Sequence, residues 1–171
     1  MIKKLVLAAA LATIGTGSAL ADTFNAGLIT PGTPVTNTFT HSVAGSFFDT
    51  FNFTIAAGTV STSAVSIDLN IFNQPIFQIT GLTGTLWNNS HPMGNFIYGT
   101  FPGNNSTFSF GPLAAGNYHI DFAGTATGVS GGAYLAAVSV AAVPEPETYA
   151  LLLAGLGLMG TVARRRSRNA A

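Results

Sequence analysis

Apolar residues recur at every second position in one segment of this chain after another. Tyr118, Ile120 and Phe122 alternate with Asn117, His119 and Asp121; further on, Tyr134, Ala136, Val138 and Val140 share one parity. In extended backbone, successive side chains point to opposite faces, so such runs bury one row and wet the other. The spacing predicts strands over 37–43, 46–55, 60–72, 76–80, 83–87, 96–101, 107–110, 117–123 and 133–143. In the longest, Val65, Ile67, Leu69 and Ile71 share one face and Asp68 takes the outer one. Gly81 separates two of the runs, and turn clusters such as Pro31-Gly32 and Pro102-Gly103-Asn104-Asn105 separate others. Nothing between Asp22 and Val143 sustains a 3.6-residue period. The expected body is all-β: an antiparallel β-sandwich, jelly-roll-like, over residues 22–142.

Charge is distributed unevenly. All six Lys and Arg are Lys3, Lys4, Arg164, Arg165, Arg166 and Arg168, so the stretch from Asp22 to Val143 has none. Its acidic groups are Asp22, Asp49, Asp68 and Asp121, and its only basic side chains are His41, His91 and His119. Nucleic-acid binding depends on cations that neutralise phosphates, and this body excludes it. No P-loop or dinucleotide fingerprint is present, and no cofactor is expected. With no cysteine, there is neither a disulfide framework nor a thiolate metal site.

The two ends read as signals. Lys3 and Lys4 precede an apolar run from Leu5 to Ile14, and Ala19-Leu20-Ala21 places small residues where signal peptidase reads them. Residues 1–21 are thus an expected signal peptide, helical in its apolar part, with cleavage read from Ala19 and Ala21 and a mature chain starting at Asp22. At the other end, Pro144-Glu145-Pro146 is followed by an apolar run from Tyr149 to Ala163 and then by Arg164, Arg165, Arg166 and Arg168. A helix from Thr148 to Ala163 would be roughly 24 Å long, a minimal membrane span. The arginines would act as a cytoplasmic stop-transfer cluster.

The order of motif, span and basic cluster over residues 143–171 resembles the PEP-CTERM sorting signal of Gram-negative bacteria. That resemblance implies recognition at Pro144, Glu145 and Pro146 by an exosortase in the inner membrane, which the precursor would occupy transiently. Phe47-x-Asp49-x-Phe51, with the glycine-rich strand pair near the end of the body, is similar to the FxDxF family of PEP-CTERM proteins. The family implies export, delivery to the cell surface or beyond after C-terminal processing, and no established enzymatic activity.

Asp49 stands in an aromatic row, with Phe47, Phe51 and Phe53 on its face. A buried carboxylate needs compensation, and no Lys or Arg of the body can supply it. Three arrangements are open. Asp49 accepts hydrogen bonds from backbone N–H groups or Ser/Thr hydroxyls as a strut; or it joins Asp68, Asp121 and Asn oxygens around calcium; or it faces solvent at an edge or bulge. No catalytic set stands out: the aspartates are scattered, and His119 beside Asp121 reads as a solvated pair. The expectation is a non-enzymatic surface or matrix protein associated with exopolysaccharide or biofilm. The alternative is a carbohydrate- or calcium-binding module. For sugars, Trp87, Tyr98, Tyr118 and Tyr134 would offer flat faces beside Asn88, Asn89 and Asn95.

Overall fold

The computed structural model describes residues 20–89, 96–142 and 150–160. The chain divides into a body ending at Ala141 and a tail starting at Ala142. Along the body run β1 (Thr23–Ile29), β2 (Val35–His41), β3 (Gly45–Ile55), β4 (Gly58–Ile67), β5 (Leu69–Ile71) and β6 (Gln74–Phe77). Then follow β7 (Ile79–Asn88), β8 (Phe96–Pro102), β9 (Phe108–Leu113), β10 (Gly116–Ala126) and β11 (Gly132–Ala142). One sheet has the order β1-β3-β10-β7-β8, a second β2-β11-β4-β9, and β5 and β6 form a separate two-stranded ribbon.

The pairing is mostly antiparallel, as alternation with short turns favours. The exception is β1, which runs parallel to β3 with Phe24 opposite Phe51. This strand is absent from the alternation reading because Gly27, at φ 69°, puts a register shift between Asn25 and Leu28. Side chains of the two sheets share one aromatic layer. Phe122 of β10 lies 5.4 Å from Tyr134 of β11 and 6.2 Å from Phe39 of β2, centroid to centroid. Phe101 of β8 stacks on Phe108 of β9 and meets Phe122 edge-on. Tilted and edge-to-face aromatic pairs of this kind add to the area they bury.

The alternation in β3, β10 and β11 is as expected. Phe47, Asp49, Phe51, Phe53 and Ile55 are buried along β3, while Phe48 is half exposed. Tyr118, Ile120 and Phe122 are buried in β10, and Tyr134, Ala136, Val138 and Val140 in β11. The 60–72 run departs from expectation. The strand ends at Ile67, and the chain turns at Asp68 into the β5–β6 ribbon. In β4 the buried parity is Val60, Thr62 and Ala64. Ile67, Leu69 and Ile71 are therefore exposed, and Phe72, with φ 49°, is 96% exposed at the ribbon's turn. Alternation read there without regard to where the strand ended put the wrong row inside. Gly81 does not separate two strands either. At φ 66° it forms an irregularity inside β7, and the pairing with β10 shifts between Ala123 and Thr125.

In the tail, a helix covers residues 150–160 with its leucines exposed. At 1.5 Å per residue it is about 16 Å long. No helix among the described residues is long and apolar enough to cross a membrane. Of the spanning helix expected from Thr148 to Ala163, residues 150–160 are helical, and its two ends lie outside the described residues. Residues 1–19 (Ala19 included), His91, Asn95, the Pro144-Glu145-Pro146 motif and Arg164, Arg165, Arg166 and Arg168 lie outside the described residues.

Candidate functional site: a buried carboxylate cradle

Asp49 sits near the middle of β3 with none of its surface exposed. Three donors meet its two oxygens. The backbone N–H of Asp22 donates to Oδ1 at 2.8 Å. The Tyr134 hydroxyl donates to Oδ2 at 2.8 Å, and His41 Nε2 lies 2.8 Å from the same oxygen. The solvated and edge placements are thus removed. Asp49 is the strut, with a Tyr hydroxyl and a His ring in place of the expected Ser and Thr. Charge-assisted bonds of this kind are about twice as strong as neutral ones.

The elements deliver these groups in a definite way. β2 and β11 are neighbours in the second sheet, with Gly132 opposite His41, so His41 and Tyr134 approach Asp49 from across the core. Gly131, at φ 88°, lets the chain enter β11 there: a Cβ would lie 1.8 Å from the His41 carbonyl oxygen. Phe47 stacks on the His41 ring at 4.3 Å and on Tyr134 at 5.5 Å, and Phe51 packs on Phe24 of β1 at 5.0 Å. Of the two phenylalanines of Phe47-x-Asp49-x-Phe51, Phe47 therefore packs on both side-chain partners of the carboxylate, while Phe51 continues the buried row on its other side. Burial, reinforced by the Asp49 carboxylate, raises the Tyr134 pKa far above the ordinary tyrosine value, so its phenol stays a donor.

His41 was missed as the partner because it lies eight residues away on the other sheet. Its one sequence signal was being a basic residue in a body free of Lys and Arg. The calcium arrangement does not assemble. Asp68 is exposed on the turn before β5, and Asp121 faces the opposite side of the first sheet, where it accepts from Thr50 Oγ1 at 2.9 Å. Among the described residues no cluster of His, Asp or Glu could hold a metal ion.

That opposite side is a polar face of amides and hydroxyls around the Asp121 carboxylate. Asn52 donates to Asn25, Thr54 donates to Asn117, and Thr85 and Thr100 share a bond. His119 Nε2 lies 3.4 Å from Asp121 Oδ2, and its ring stacks on Trp87 at 5.8 Å and 7°. His119 Nδ1 also bonds Asn89. An open groove of about 220 Å³ is lined by Asn25, Asn52, Asn89 and Asn117 among others. Of the aromatics that could have met a sugar, Tyr118 and Tyr134 are fully buried. Tyr118 donates to the Ala114 carbonyl at 2.8 Å, and burial, with Tyr98 nearby, raises its pKa to about 12.

Fold and site together define a class: an all-β body built around a buried carboxylate, followed by a separate tail. Residues 142–167 of that tail match the PEP-CTERM protein-sorting motif. The chain is accordingly a protein with a PEP-CTERM sorting domain, and the motif implies export to the cell envelope or surface and processing by an exosortase. No protein of curated function matches the sequence. Among solved structures, the chain is similar to PliG of Aeromonas hydrophila, a periplasmic inhibitor of g-type lysozyme. Identity is 14%, coverage 70% of this chain and 98% of that one, and the TM-score 0.41. The Salmonella Typhimurium PliG is similar at 13% identity, with coverage of 70% and 97% and a TM-score of 0.35. Nothing about activity follows from a likeness of this degree.

Proposed function

We propose that this chain is a non-enzymatic structural protein of the cell surface or its extracellular matrix, delivered by exosortase processing and associated with exopolysaccharide. The body is read as a β-sandwich, supported by the aromatic layer that its two sheets share. The observation that carries the proposal is the PEP-CTERM motif at 142–167 behind a body free of Lys and Arg. The polar face supports it: its amides and hydroxyls bond one another, which gives an ordered surface free of Lys and Arg and compatible with a hydrated glycan network. The apolar tail holds the precursor at the inner membrane until it is cut. Intact mass and location of the protein test this, with and without Pro144→Ala and Glu145→Ala. Loss of the C-terminal mass and surface delivery are expected for the natural sequence, and membrane retention for the variant. Full-length natural protein inside the cell overturns the proposal.

A second reading, a carbohydrate-binding module, is favoured by the Asn-lined groove beside the Trp87–His119 stack. Retention on the organism's own exopolysaccharide, with a change in Trp87 fluorescence, supports it; no retention and an unchanged spectrum remove it.

A further inference from the structure

The two oxygens of Asp49 are served unequally. The His41 ring, the one side chain there able to carry a positive charge, lies 2.8 Å from Oδ2, whereas Oδ1 meets only a backbone N–H. No Lys or Arg occurs between Asp22 and Val143 to supply a cation there. Burying an unpaired charge is costly, and a chain compensates where it can. The donor to Oδ1 is the backbone nitrogen of Asp22, the residue that follows Ala19-Leu20-Ala21.

We propose that the Asp49 cradle is the binding site for the chain's own amino terminus, a primary ammonium created when signal peptidase cuts between Ala21 and Asp22. Hydrolysis adds water across that peptide bond. Ala21 leaves with the new carboxylate, and the Asp22 nitrogen takes up protons to become an ammonium. That nitrogen already lies 2.8 Å from Oδ1, so an amide hydrogen bond becomes an ion pair without rearrangement. Ala21 and Asp22 are exposed, so the scissile bond is at the surface while the nitrogen points inward at the carboxylate. The cut also removes Leu20, whose N–H donates to the Ser46 carbonyl and whose carbonyl accepts from Phe48. The new ion pair joins the remaining Thr50 N–H to Asp22 carbonyl bond and the β1–β3 ladder in holding the new start of the chain to β3. Maturation and the core are thereby linked: the cut puts a cation at Oδ1, where the uncut chain offers only an amide N–H.

The titratable groups facing Asp49 are His41 of β2, Tyr134 of β11 and the side chain of Asp22, which accepts from the Thr23 N–H. Pairing with Asp49 raises the terminal amine's titration above its unfolded value of about 8. The sign follows: the stabilisation is full below that pH and is lost as pH rises through the higher folded value.

Lys3 and Lys4 leave with the signal, so the terminal amine is the only primary amine of the mature chain, which makes acylation a clean probe. The experiment uses the exported full chain, in detergent, with its natural start and with Gly-Ser inserted between Ala21 and Asp22. Mass spectrometry reads the first residue, and a small acylating ester reads amine reactivity near neutral pH. The expected start is Asp22, with acylation about tenfold slower than in the inserted chain, the factor by which a modest rise in amine basicity lowers the free base. Asp49→Asn is expected to restore the ordinary rate, and the inserted chain keeps the comparison if that variant fails to fold. A natural start elsewhere, or equal acylation of the two chains, overturns the proposal. The surface role tested at Pro144 and Glu145 stands or falls separately.

Discussion

Replacing Asp49 by Asn keeps the shape of the side chain and removes its charge, so the cost can be worked from the three donors. A carboxamide has one acceptor oxygen. Placed at Oδ2 it still receives Tyr134 and His41, now through neutral bonds. Its NH2 then faces the Asp22 nitrogen, donor against donor, where the carboxylate had a bond of 2.8 Å. The lost bond and stranded donor cost about 1–3 kcal/mol, and weakening two charge-assisted bonds costs about 0.5–1 kcal/mol each. The variant is spared the desolvation of a charge, which places the net loss at about 2–4 kcal/mol. For a body of this size that is a fall of about 10 °C in Tm. Urea and thermal unfolding followed by far-ultraviolet circular dichroism measure it, with an unchanged urea slope showing that the end states are the same. Tyr134→Phe removes one donor while leaving Oδ2 bonded to His41, at about 1 kcal/mol. The double variant should cost less than the sum of the two singles, because both act on one network. An Asp49→Asn midpoint within about 2 °C of the parent would mean that the carboxylate does not hold this core together.

Gly84 of β7 lies under Phe101, where an added Cβ would sit 2.3 Å from the ring. Gly84→Ala is therefore expected to cost about 1–3 kcal/mol by overpacking, read by urea unfolding. Gly131→Ala meets backbone at 1.8 Å and carries a positive φ; it should cost more than Gly84→Ala and displace His41, which loss of the Asp49–His41 coupling in NMR would register. Tyr118, with its pKa raised to about 12, should resist ionisation in a tyrosinate absorbance titration. Its contribution to stability is whole below its unfolded pKa near 10 and is lost as pH rises from there through the folded value. Trp87 carries a buried Nε1 without a hydrogen-bond partner, so Trp87→Phe should leave stability within about 1 kcal/mol of the parent.

Strand parity was legible where a strand was long and its buried row aromatic. Phe47, Phe51 and Phe53, or Tyr118, Ile120 and Phe122, leave one solution for which side faces in. It failed where the chain changed element without changing pattern: the apolar row Val65, Ile67, Leu69 and Ile71 continues through Asp68, although the sheet ends there. Local pattern gives no sign of whether a partner strand is present to bury the row. The cradle was half legible. That Asp49 needed compensation followed from burial and the missing cations. That His41 and Tyr134 would provide it depended on β2 and β11 being neighbours in the other sheet, which is a matter of topology and not of spacing. The tail's sorting motif was readable outright, because an enzyme recognises it as linear sequence.

The strand that leads into the tail is not at an edge: β11 lies between β2 and β4 and ends at Ala142, where the sorting segment begins. Load carried by the tail would therefore enter an inner strand, whose ladder with β2 runs from Gly132 to Val138, and not an edge strand. Severing the tether beyond Ala142 would leave every rung of that ladder in place.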